Sequence, residues 1–226
     1  MTTPKDLGAK FVKSGKVKDI YTLDDDILFH FTNRVSAFDV ILPSTIPKKG
    51  EVLCKFAEYW FKNLPFDSHM IKTIGKDMML VKKLEMLPIE SIVRGYVYGS
   101  LWKRIKDGEV NIDITAPQLA QQLPAPLFDP TTKHEIHDVP ITQEEILKRS
   151  WMNNNQLETI QDTSIQIYNM MVDKAKESGF MLADLKLEFG ILNNKILLGD
   201  SIGPDEFRLW PSDKYSIGSS QESFDK

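Results

Sequence analysis

The sequence predicts an α+β protein of two lobes, because strand-like and helix-like segments fall in separate blocks along the chain. Strand-like segments dominate the first part, whereas the longest helical pattern and a second hairpin come later. A break near residues 85–90, where Pro88 ends a strand-like run, divides the pattern. We therefore expect a mainly β lobe over residues 1–88 and an α+β lobe over residues 89–226.

The first lobe is predicted to contain a β-hairpin over residues 15–31. The stretch GKVKDIYTLDDDILFHF alternates apolar and polar residues on both sides of three aspartates. Over residues 50–64, apolar side chains recur with the 3.6-residue period of an amphipathic helix. Three strands and a short helix should follow, in the segments HMIKTIG, MMLVKKLEML, SIVRGYVYG and SLWKRIKDG.

The rest of the second lobe is predicted to combine a long loop with a long helix. Residues 117–140 are rich in proline and poor in periodic apolar residues, so we expect an ordered loop of the kind that is usually functional. Thr142 and Glu145 have capping-box spacing and predict a short helix. A longer helix is expected over residues 154–178, then a hairpin over residues 182–200 and an irregular tail. The long helix should end at Gly179 and turn inward Leu157, Ile160, Ile167, Met171 and Ala175.

Composition narrows the possible function classes. The chain has 226 residues, 42% of them hydrophobic, which suits one or two compact domains. Its net charge of −4 argues against general nucleic-acid binding, which needs clustered lysine and arginine. The single cysteine, Cys54, excludes an internal disulfide, and there is neither a membrane-length apolar run nor a secretion signal. We expect a cytoplasmic protein with small-molecule substrates, either a monomer or a homodimer.

The segment LADLKLEFG, residues 182–190, carries the most informative charge pattern. If it is a strand, Asp184, Lys186 and Glu188 share one face, and the residues between them form an apolar face that points into a core. A solvated face of an antiparallel hairpin is the ordinary explanation of such a pattern. The alternative is a binding site, whose carboxylates would suit a hard cation such as Mg²⁺.

Two motifs in the first lobe suit a nucleotide. Gly15 precedes Lys16 and Lys18 on alternate positions, where both lysines could neutralise phosphates. Solvated lysines on an exposed hairpin explain this motif equally well, and it is not a Walker A loop. The segment VKKLEMLP, residues 81–88, could offer backbone groups to an adenine ring, or it could be a plain edge strand.

Two further motifs suit other charged ligands. Arg34, Ser36 and Asp39 lie among small and turn residues, where a charged pair with a hydroxyl suits a zwitterion. Arg94 lies in mid-strand among apolar residues and therefore needs a partner. Ser100 then opens a helix, whose N-terminal amides favour an anion such as phosphate.

Seven segments occur in this order between residues 15 and 210: GKVKDIY, SAFD, VKKLEMLP, ESIVRGYVYGS, TTKHEIHD, LADLKLEFG and GDSIGPDEFRLW. Together they resemble the SAICAR synthetase (phosphoribosylaminoimidazole-succinocarboxamide synthase) family. The resemblance implies an α+β fold with antiparallel sheets and an ATP cleft between two lobes. It also implies an ATP- and Mg²⁺-dependent ligase of purine biosynthesis that joins L-aspartate to the carboxylate of carboxyaminoimidazole ribonucleotide, giving SAICAR, ADP and phosphate.

The resemblance also implies a role for each matching residue. At ATP, the phosphates would be covered by Gly15, Lys16, Val17 and Lys18, and the adenine framed by Lys82, Leu84, Glu85 and Met86. The ribonucleotide would be held by Glu90, Arg94, Ser100, Asp184 and Arg208. The aspartate candidates are Ser36, Asp39, Lys133, His137 and Asp138. The catalytic residues would be Lys186, at the ATP phosphates, and the Mg²⁺ ligands Glu188 and Asp200.

The chemistry of this reaction agrees with these roles. A carboxylate does not accept an amine at neutral pH until phosphoryl transfer turns it into an acyl phosphate, a step that needs mainly positioning and charge neutralisation. Sharing a metal across the hairpin would require Glu188 opposite Asp200, and hence a three-residue loop over residues 193–195. A two-residue turn at residues 193–194 would instead oppose Glu188 and Gly199. We predict the three-residue loop.

Two other function classes fit part of the pattern. A small-molecule kinase would use the same lysines and carboxylates but would not need the Arg34–Asp39 pocket, and its phosphate release would not depend on aspartate. A non-catalytic nucleotide sensor would bind ATP without turnover, and it gives no reason for two magnesium carboxylates.

Overall fold

The computed structural model describes residues 2–37, 40–133 and 139–224. The chain packs as two units, one made of residues 1–87 and 188–204 and the other of residues 88–187 and 205–226. This division differs from the predicted lobes, because residues 188–204 lie with the N-terminal unit. The backbone explains the difference: the amide of Leu198 donates to the Asp67 carbonyl at 2.9 Å, within the first unit.

The first unit is built around an antiparallel sheet. Its elements are β1 (Lys10–Ser14), β2 (Lys18–Leu23), β3 (Asp26–Phe31), β4 (Arg34–Ala37), β5 (Val40–Thr45), α1 (Lys49–Asn63), β6 (Met70–Ile74), β7 (Met78–Val81) and β8 (Glu85–Met86). The strand order in the main sheet is β1-β2-β3-β7-β6, and β4 pairs separately with β5. Leu53 and Ala57 of α1 and Phe29 of β3 are among the buried core residues of this unit.

The second unit combines helices with another antiparallel sheet. Its elements are β9 (Ile89–Tyr96), α2 (Gly99–Lys106), β10 (Gln122–Phe128), β11 (Thr131–Thr132), α3 (Gln143–Lys148), α4 (Asn154–Glu177), the first part of β12 (Phe180–Leu192) and β14 (Phe207–Pro211). The end of β12 and the whole of β13 (Lys195–Gly199) belong to the first unit. β9 pairs with β10, β11 and the first part of β12, and β14 also pairs with β12. From Glu188 onward, β12 pairs with β13 and β8 in the first unit.

Local sequence signals explain several of these bounds. The helix predicted over residues 154–178 is confirmed as α4, which Asn153 caps through a capping box. Gly179 ends it with φ +80°, a conformation that glycine adopts without strain. The predicted inward residues of α4 are buried, apart from the half-buried Ala175. Thr142 accepts the amide of Glu145 at 3.1 Å and caps α3 as predicted.

Three predictions about local structure are wrong. The proline-rich segment over residues 117–140 contains β10 and β11, and β10 tolerates its prolines because its register with β9 is irregular between Gln122 and Leu127. The predicted strand MMLVKKLEML divides into β7 and β8, which pair with β3 and β12 respectively. The tail is not wholly irregular, because β14 extends the sheet of the second unit.

Cys54 supplies a direct test of the packing around α1. Its side chain is buried, and burial, with a smaller effect from Glu58 and Asp77, raises the pKa of the thiol to about 12. We expect no reaction with an aromatic disulfide reagent at pH 8 in the folded protein, and one reactive thiol per chain after denaturation. Rapid labelling of the native protein would contradict this packing.

Within the described residues, no helix has the length and apolar character that crossing a membrane requires.

Candidate functional site

Strand β12 is buried on both faces. Ala183, Leu185 and Leu187 are at most 2% exposed, as expected for the apolar face. On the other face, Asp184 is 9% exposed and Glu188 is 7% exposed, so these carboxylates do not form a solvated surface. Since buried charges require compensating partners, the ordinary explanation of the charge pattern is wrong.

The turn after β12 corrects the predicted hairpin. Glu188 pairs with Gly199, and the turn consists of Asn193 and Asn194, whose φ values are +50° and +62°. Both angles suit a type I′ turn, which matches the twist of the flanking strands and which asparagine tolerates. The three-residue loop is therefore wrong, and with it the argument for a metal shared across the hairpin. Asp200 follows the end of β13, so strand alternation does not determine the direction of its carboxylate.

The predicted phosphate-covering segment forms a loop that leads into β2. The amide of Gly15 donates to the carbonyl of Lys18 at 2.7 Å. Lys16 is exposed and precedes the strand, whereas Lys18 is its first residue and is buried. The prediction that both lysines alternate along a strand is therefore wrong, and the two ammonium groups lie in different environments.

Arg34 braces this loop. Its Nη2 donates to the carbonyl of Gly15 at 2.9 Å and to Oδ1 of Asp19 at 2.7 Å. Burial raises the pKa of Asp19, but hydrogen bonds from Arg34 and Ser14 outweigh it and hold this pKa below its ordinary value. The guanidinium thus orders the loop at Gly15. The predicted pocket of Arg34 with Asp39 is not described, because Asp39 lies outside the described residues.

Lys18 and Asp200 form a charged contact in the first unit. The ammonium of Lys18 contacts Asp200 Oδ1 and donates to Ser201 Oγ at 2.9 Å. It also lies over the ring of Phe29, 4.7 Å from its centroid. Lys18, which was predicted at the ATP phosphates, is therefore in direct contact with Asp200, a predicted Mg²⁺ ligand 182 positions away in the sequence.

The predicted adenine segment lies against the hairpin of β12 and β13. Lys82 donates its amide to the His69 carbonyl at 2.8 Å. Glu85 and Met86 pair with Ile191 and Gly190. A Cβ at Gly190 would lie 2.7 Å from Cβ of Leu84, so glycine permits this close approach.

Arg94 is the centre of a buried network in the second unit. The side chain is 3% exposed, its Nη2 donates to Ser100 Oγ at 2.8 Å, and its Nε donates to Asp129. Its Nη1 lies 3.7 Å from Asp184, the residue opposite it in the β9–β12 pairing. Arg104 contacts the same carboxylate of Asp129. The partner that the sequence required for Arg94 is therefore a group of carboxylates and a hydroxyl.

Arg208 extends this network to a more accessible position. It donates through Nη1 to Asp184 at 2.7 Å, and its guanidinium lies 5.6 Å from the centroid of the Tyr98 ring. Gly99 has φ +57°, and a Cβ there would lie 2.5 Å from the same Nη1. Both observations explain glycine at the start of α2. Arg208 keeps a third of its side chain exposed, unlike Arg94.

Lys186 lies between two carboxylates of the second unit. Its Nζ is 3.0 Å from Glu90 Oε1 and 3.0 Å from Glu206 Oε2, and Glu90 also accepts from the hydroxyl of Thr131 at 3.1 Å. Burial lowers the pKa of Lys186, but the charges of Glu206 and Glu90 outweigh it and raise this pKa above its ordinary value. The ammonium therefore stays charged at neutral pH.

Of the five residues predicted to bind aspartate, Ser36 lies in the first unit and Lys133 in the second. Ser36 lies in β4 and is half-buried. Lys133 is also half-buried, and its amide donates to the Pro88 carbonyl at 3.0 Å in the second unit. Asp39, His137 and Asp138 lie outside the described residues.

Sequence reasoning missed several polar residues at these clusters. Glu206 lies inside the segment GDSIGPDEFRLW, where it was available but not singled out. Asp129 directly follows the apolar run LPAPLF in the proline-rich segment, and a carboxylate at that position was the available signal. Nothing in the local pattern distinguishes His69 or Arg104, because their roles depend on contacts between distant segments.

Comparison with known proteins supports a single assignment. The family model described as SAICAR synthetase matches residues 11–226. The phosphoribosylaminoimidazole-succinocarboxamide synthase of Nitrosopumilus maritimus is 53% identical over 219 residues, which cover 96% of this chain and 80% of that protein. The enzyme of the same name from Schizosaccharomyces pombe is 39% identical, with 97% and 82% covered.

Solved structures agree with these relatives. The SAICAR synthase from Saccharomyces cerevisiae in complex with SAICAR has a TM-score of 0.87 and 34% identity, covering 100% of this chain and 84% of that one. A type-2 SAICAR synthetase in complex with ADP has a TM-score of 0.80 and 29% identity, with 95% and 87% covered. The predicted α+β class is confirmed, and the chain belongs to the SAICAR synthetase family.

Proposed function

We propose that this protein joins L-aspartate to the carboxylate of carboxyaminoimidazole ribonucleotide at the expense of ATP, giving SAICAR, ADP and phosphate. Family membership over residues 11–226 supports the reaction. The observation that carries it is the position of Lys186, whose ammonium is charged at neutral pH and lies between Glu90 and Glu206. A small-molecule kinase or a nucleotide sensor has no comparable support from the relatives.

The proposed reaction has two steps. First, a carboxylate oxygen of the ribonucleotide attacks the γ-phosphorus of ATP, and the bond from that phosphorus to ADP breaks. Second, the aspartate amine attacks the acyl carbon of the resulting acyl phosphate, a C–N bond forms, and phosphate leaves with the electron pair of the C–O bond. The amine loses its proton in this step.

Lys186 is proposed to stabilise the transferring phosphoryl group by its charge. A preorganised ammonium in a partly buried position stabilises developing negative charge more strongly than solvent does. Its raised pKa excludes a role as the base that deprotonates the aspartate amine, because a base must be neutral at the working pH. Lys186 is therefore an electrostatic catalyst in this proposal.

The first unit is proposed to bind ATP. Gly15, Lys16, Val17 and Lys18 would cover the phosphates, with Arg34 keeping the loop in place. The adenine would be framed by Lys82, Leu84, Glu85 and Met86, where Gly190 and the β8 pairing hold the segment close to the hairpin. The short β8 supports this assignment, since a broken strand leaves backbone groups without a complete ladder.

Mg²⁺ is proposed to accompany ATP, with Glu188 and Asp200 as individual carboxylate ligands. Carboxylate oxygens suit this hard ion, which usually takes one or two from the protein and completes its coordination with phosphate and water. This mode agrees with the described residues, which contain no group of three or more His, Cys, Asp and Glu side chains arranged for a metal. When bound, the ion neutralises charge on the ATP phosphates.

The second unit is proposed to bind the ribonucleotide through Glu90, Arg94, Ser100, Asp184 and Arg208. Charge-assisted bonds from guanidinium groups suit a phosphate, and Arg94 and Ser100 already share a hydrogen bond. Ser36, Asp39, Lys133, His137 and Asp138 stay the proposed aspartate residues on family resemblance alone. A cytoplasmic location and magnesium dependence belong to the same proposal.

An assay of phosphate release tests the proposed reaction. The protein is incubated with carboxyaminoimidazole ribonucleotide, ATP and Mg²⁺, and phosphate is measured with and without L-aspartate. Aspartate-dependent phosphate release with formation of SAICAR is the expected result. ADP formation that ignores aspartate would indicate a kinase, and ATP binding without turnover would indicate a sensor.

Lys16 provides a test of the phosphate loop that should leave the fold unchanged. Because its side chain is exposed, Lys16→Ala should not change Tm measurably. We expect the Kd for ATP to rise about fivefold, which corresponds to about 1 kcal/mol for one charge-assisted contact. Isothermal titration calorimetry measures this directly. An unchanged Kd would remove Lys16 from the ATP site.

A further inference from the structure

His69 is a buried polar side chain in an apolar environment of the first unit. It is 2% exposed, and its ring packs edge-on against Phe29 and Phe61 with centroid distances of 5.6 Å. Neither a catalytic role nor a ligand role accounts for its presence, because the ring has no access to solvent. A buried imidazole in such a place needs a hydrogen-bond partner.

The partner is the main chain of Asp200. Nε2 of His69 lies 2.8 Å from the Asp200 carbonyl oxygen. A carbonyl can only accept, so Nε2 carries the proton and His69 donates. A neutral ring with its proton on Nε2 suffices for this bond.

Asp200 needs such support because its backbone is strained. Its φ is +51°, in the left-handed region, which costs a residue other than glycine about 1 kcal/mol. It lies immediately beyond β13, whose pairing with β12 ends at Gly199. Yet its carboxylate contacts Lys18, which is possible only for particular backbone orientations.

His69 also connects Asp200 to the proposed adenine segment. Its carbonyl accepts the amide of Lys82 at 2.8 Å, and its own amide donates to the Leu198 carbonyl at 3.0 Å. One residue therefore contacts the segment that begins at Lys82, the strand β13 and the peptide of Asp200. These bonds hold the two ends of the proposed ATP site at a set separation.

We propose that His69 is a positioning residue of the ATP site, which orients the Asp200 peptide so that its carboxylate meets Lys18. This inference rests on the proposal that Lys18 and Asp200 act at the ATP phosphates. His69 acts through Asp200 and does not touch the substrate. Its effect should therefore appear in ATP affinity and not in ribonucleotide affinity.

Two substitutions separate the hydrogen bond from the packing. His69→Phe keeps an aromatic ring between Phe29 and Phe61 but removes the donor, and His69→Gln keeps an N–H donor near the position of Nε2. We expect His69→Phe to raise the Kd for ATP·Mg²⁺ about tenfold by calorimetry, with the ribonucleotide KM within twofold of wild type. His69→Gln should recover most of the ATP affinity. Wild-type ATP affinity in His69→Phe, or equal losses for both substrates, would overturn the inference.

A double-mutant cycle with Lys18→Met distinguishes this inference from the proposed function. Because both residues act through Asp200, the two substitutions should be less than additive in their effect on ATP binding. If Lys18→Met leaves ATP affinity unchanged, the proposed ATP site itself fails. If Lys18→Met weakens ATP binding and His69→Phe does not, or if the two effects add, only the role of His69 fails.

A measurement on the wild-type chain needs no stable His69→Phe variant. Nitrogen-15 NMR of histidine-labelled protein reports which ring nitrogen carries the proton, and His69 is identified by the signal missing from His69→Gln. We expect a proton on Nε2 that exchanges slowly with solvent. A proton on Nδ1 alone would exclude donation to Asp200 and overturn the inference.

Discussion

Lys186→Met is expected to lower kcat by about 10²- to 10³-fold, the usual effect of removing one preorganised group that stabilises transition-state charge. The ammonium lies 3.0 Å from both Glu90 and Glu206 and is charged at neutral pH. Methionine keeps an unbranched side chain of similar length but offers no charge to the transferring phosphoryl group. Steady-state kinetics with all three substrates at saturation measure the loss.

The same substitution should also destabilise the protein, so the two effects must be separated. Without Lys186, the carboxylate of Glu90 remains buried beside Glu206, and removing one partner of such a group costs about 3 kcal/mol. The double variant Lys186→Met/Glu206→Gln removes one negative charge and should recover much of the Tm. It should nevertheless stay as inactive as the single variant. Near-normal turnover in the double variant would show that Lys186 has only a structural role.

Lys214→Met provides the matched control in the same unit. Lys214 is exposed and pairs with Glu222 at 2.8 Å. Exposed ion pairs contribute about 0–1 kcal/mol, so both kcat and Tm should stay close to wild type. A large loss in this control would mean that any lysine-to-methionine change in this unit is harmful.

Lys186 should not contribute to the pH dependence of activity near neutrality, because it stays protonated there. Its pKa in the folded protein is raised above the ordinary value of 10.5. For a raised lysine pKa, the stabilisation is fully present below the unfolded value and is lost only as pH rises through the folded value. Any change of activity with pH near neutrality therefore comes from other groups, including the aspartate amine.

The alternation of apolar and charged side chains along β12 was predictable from sequence, because it follows from the two-residue period of any strand. In the structure, the apolar residues of this pattern point into the core as expected. Ala183, Leu185 and Leu187 are buried, as the pattern required. The three-residue loop of the hairpin is wrong because it was inferred from a metal shared by Glu188 and Asp200, and not from the turn preference of the loop residues. Two consecutive asparagines favour a two-residue type I′ turn through their backbone preferences. That turn sets the register of β12 with β13.

Residues whose roles depend on distant contacts were beyond sequence reasoning without the family. The partner of Lys18 is Asp200, and no local pattern relates the two. The network of Arg94 was anticipated only as an unnamed partner, since Asp129 lies in a segment that was predicted to be a loop. The prolines of β10 argued against a strand, and its irregular register with β9 leaves no regular alternation of apolar and polar residues in the sequence.

Arg208→Ala is expected to raise the KM for carboxyaminoimidazole ribonucleotide about 100-fold, with the KM for ATP within threefold of wild type. The factor corresponds to about 2.7 kcal/mol, the contribution of one or two charge-assisted hydrogen bonds to a ligand phosphate. Arg208 keeps 33% of its side chain exposed, while Asp184 and the Tyr98 ring hold it in one orientation. Its remaining N–H groups are therefore preorganised at little entropic cost.

Arg149→Ala and Arg94→Lys supply the comparisons that give this prediction its meaning. Arg149 lies over the ring of Trp151 at 4.9 Å and pairs with Glu145. Like Arg208, it therefore contacts one aromatic ring and one carboxylate, but it is not among the residues proposed to bind the ribonucleotide. Its removal should leave both KM values unchanged.

Arg94→Lys should raise the ribonucleotide KM more than the ATP KM. It should also lower Tm, because lysine cannot reach Asp129, Ser100 and Asp184 together. Since Arg94 stays near Asp184 when Arg208 is absent, Arg208→Ala should lower Tm much less. Equal changes of both KM values in Arg208→Ala would show that Arg208 supports the fold and does not bind the ribonucleotide.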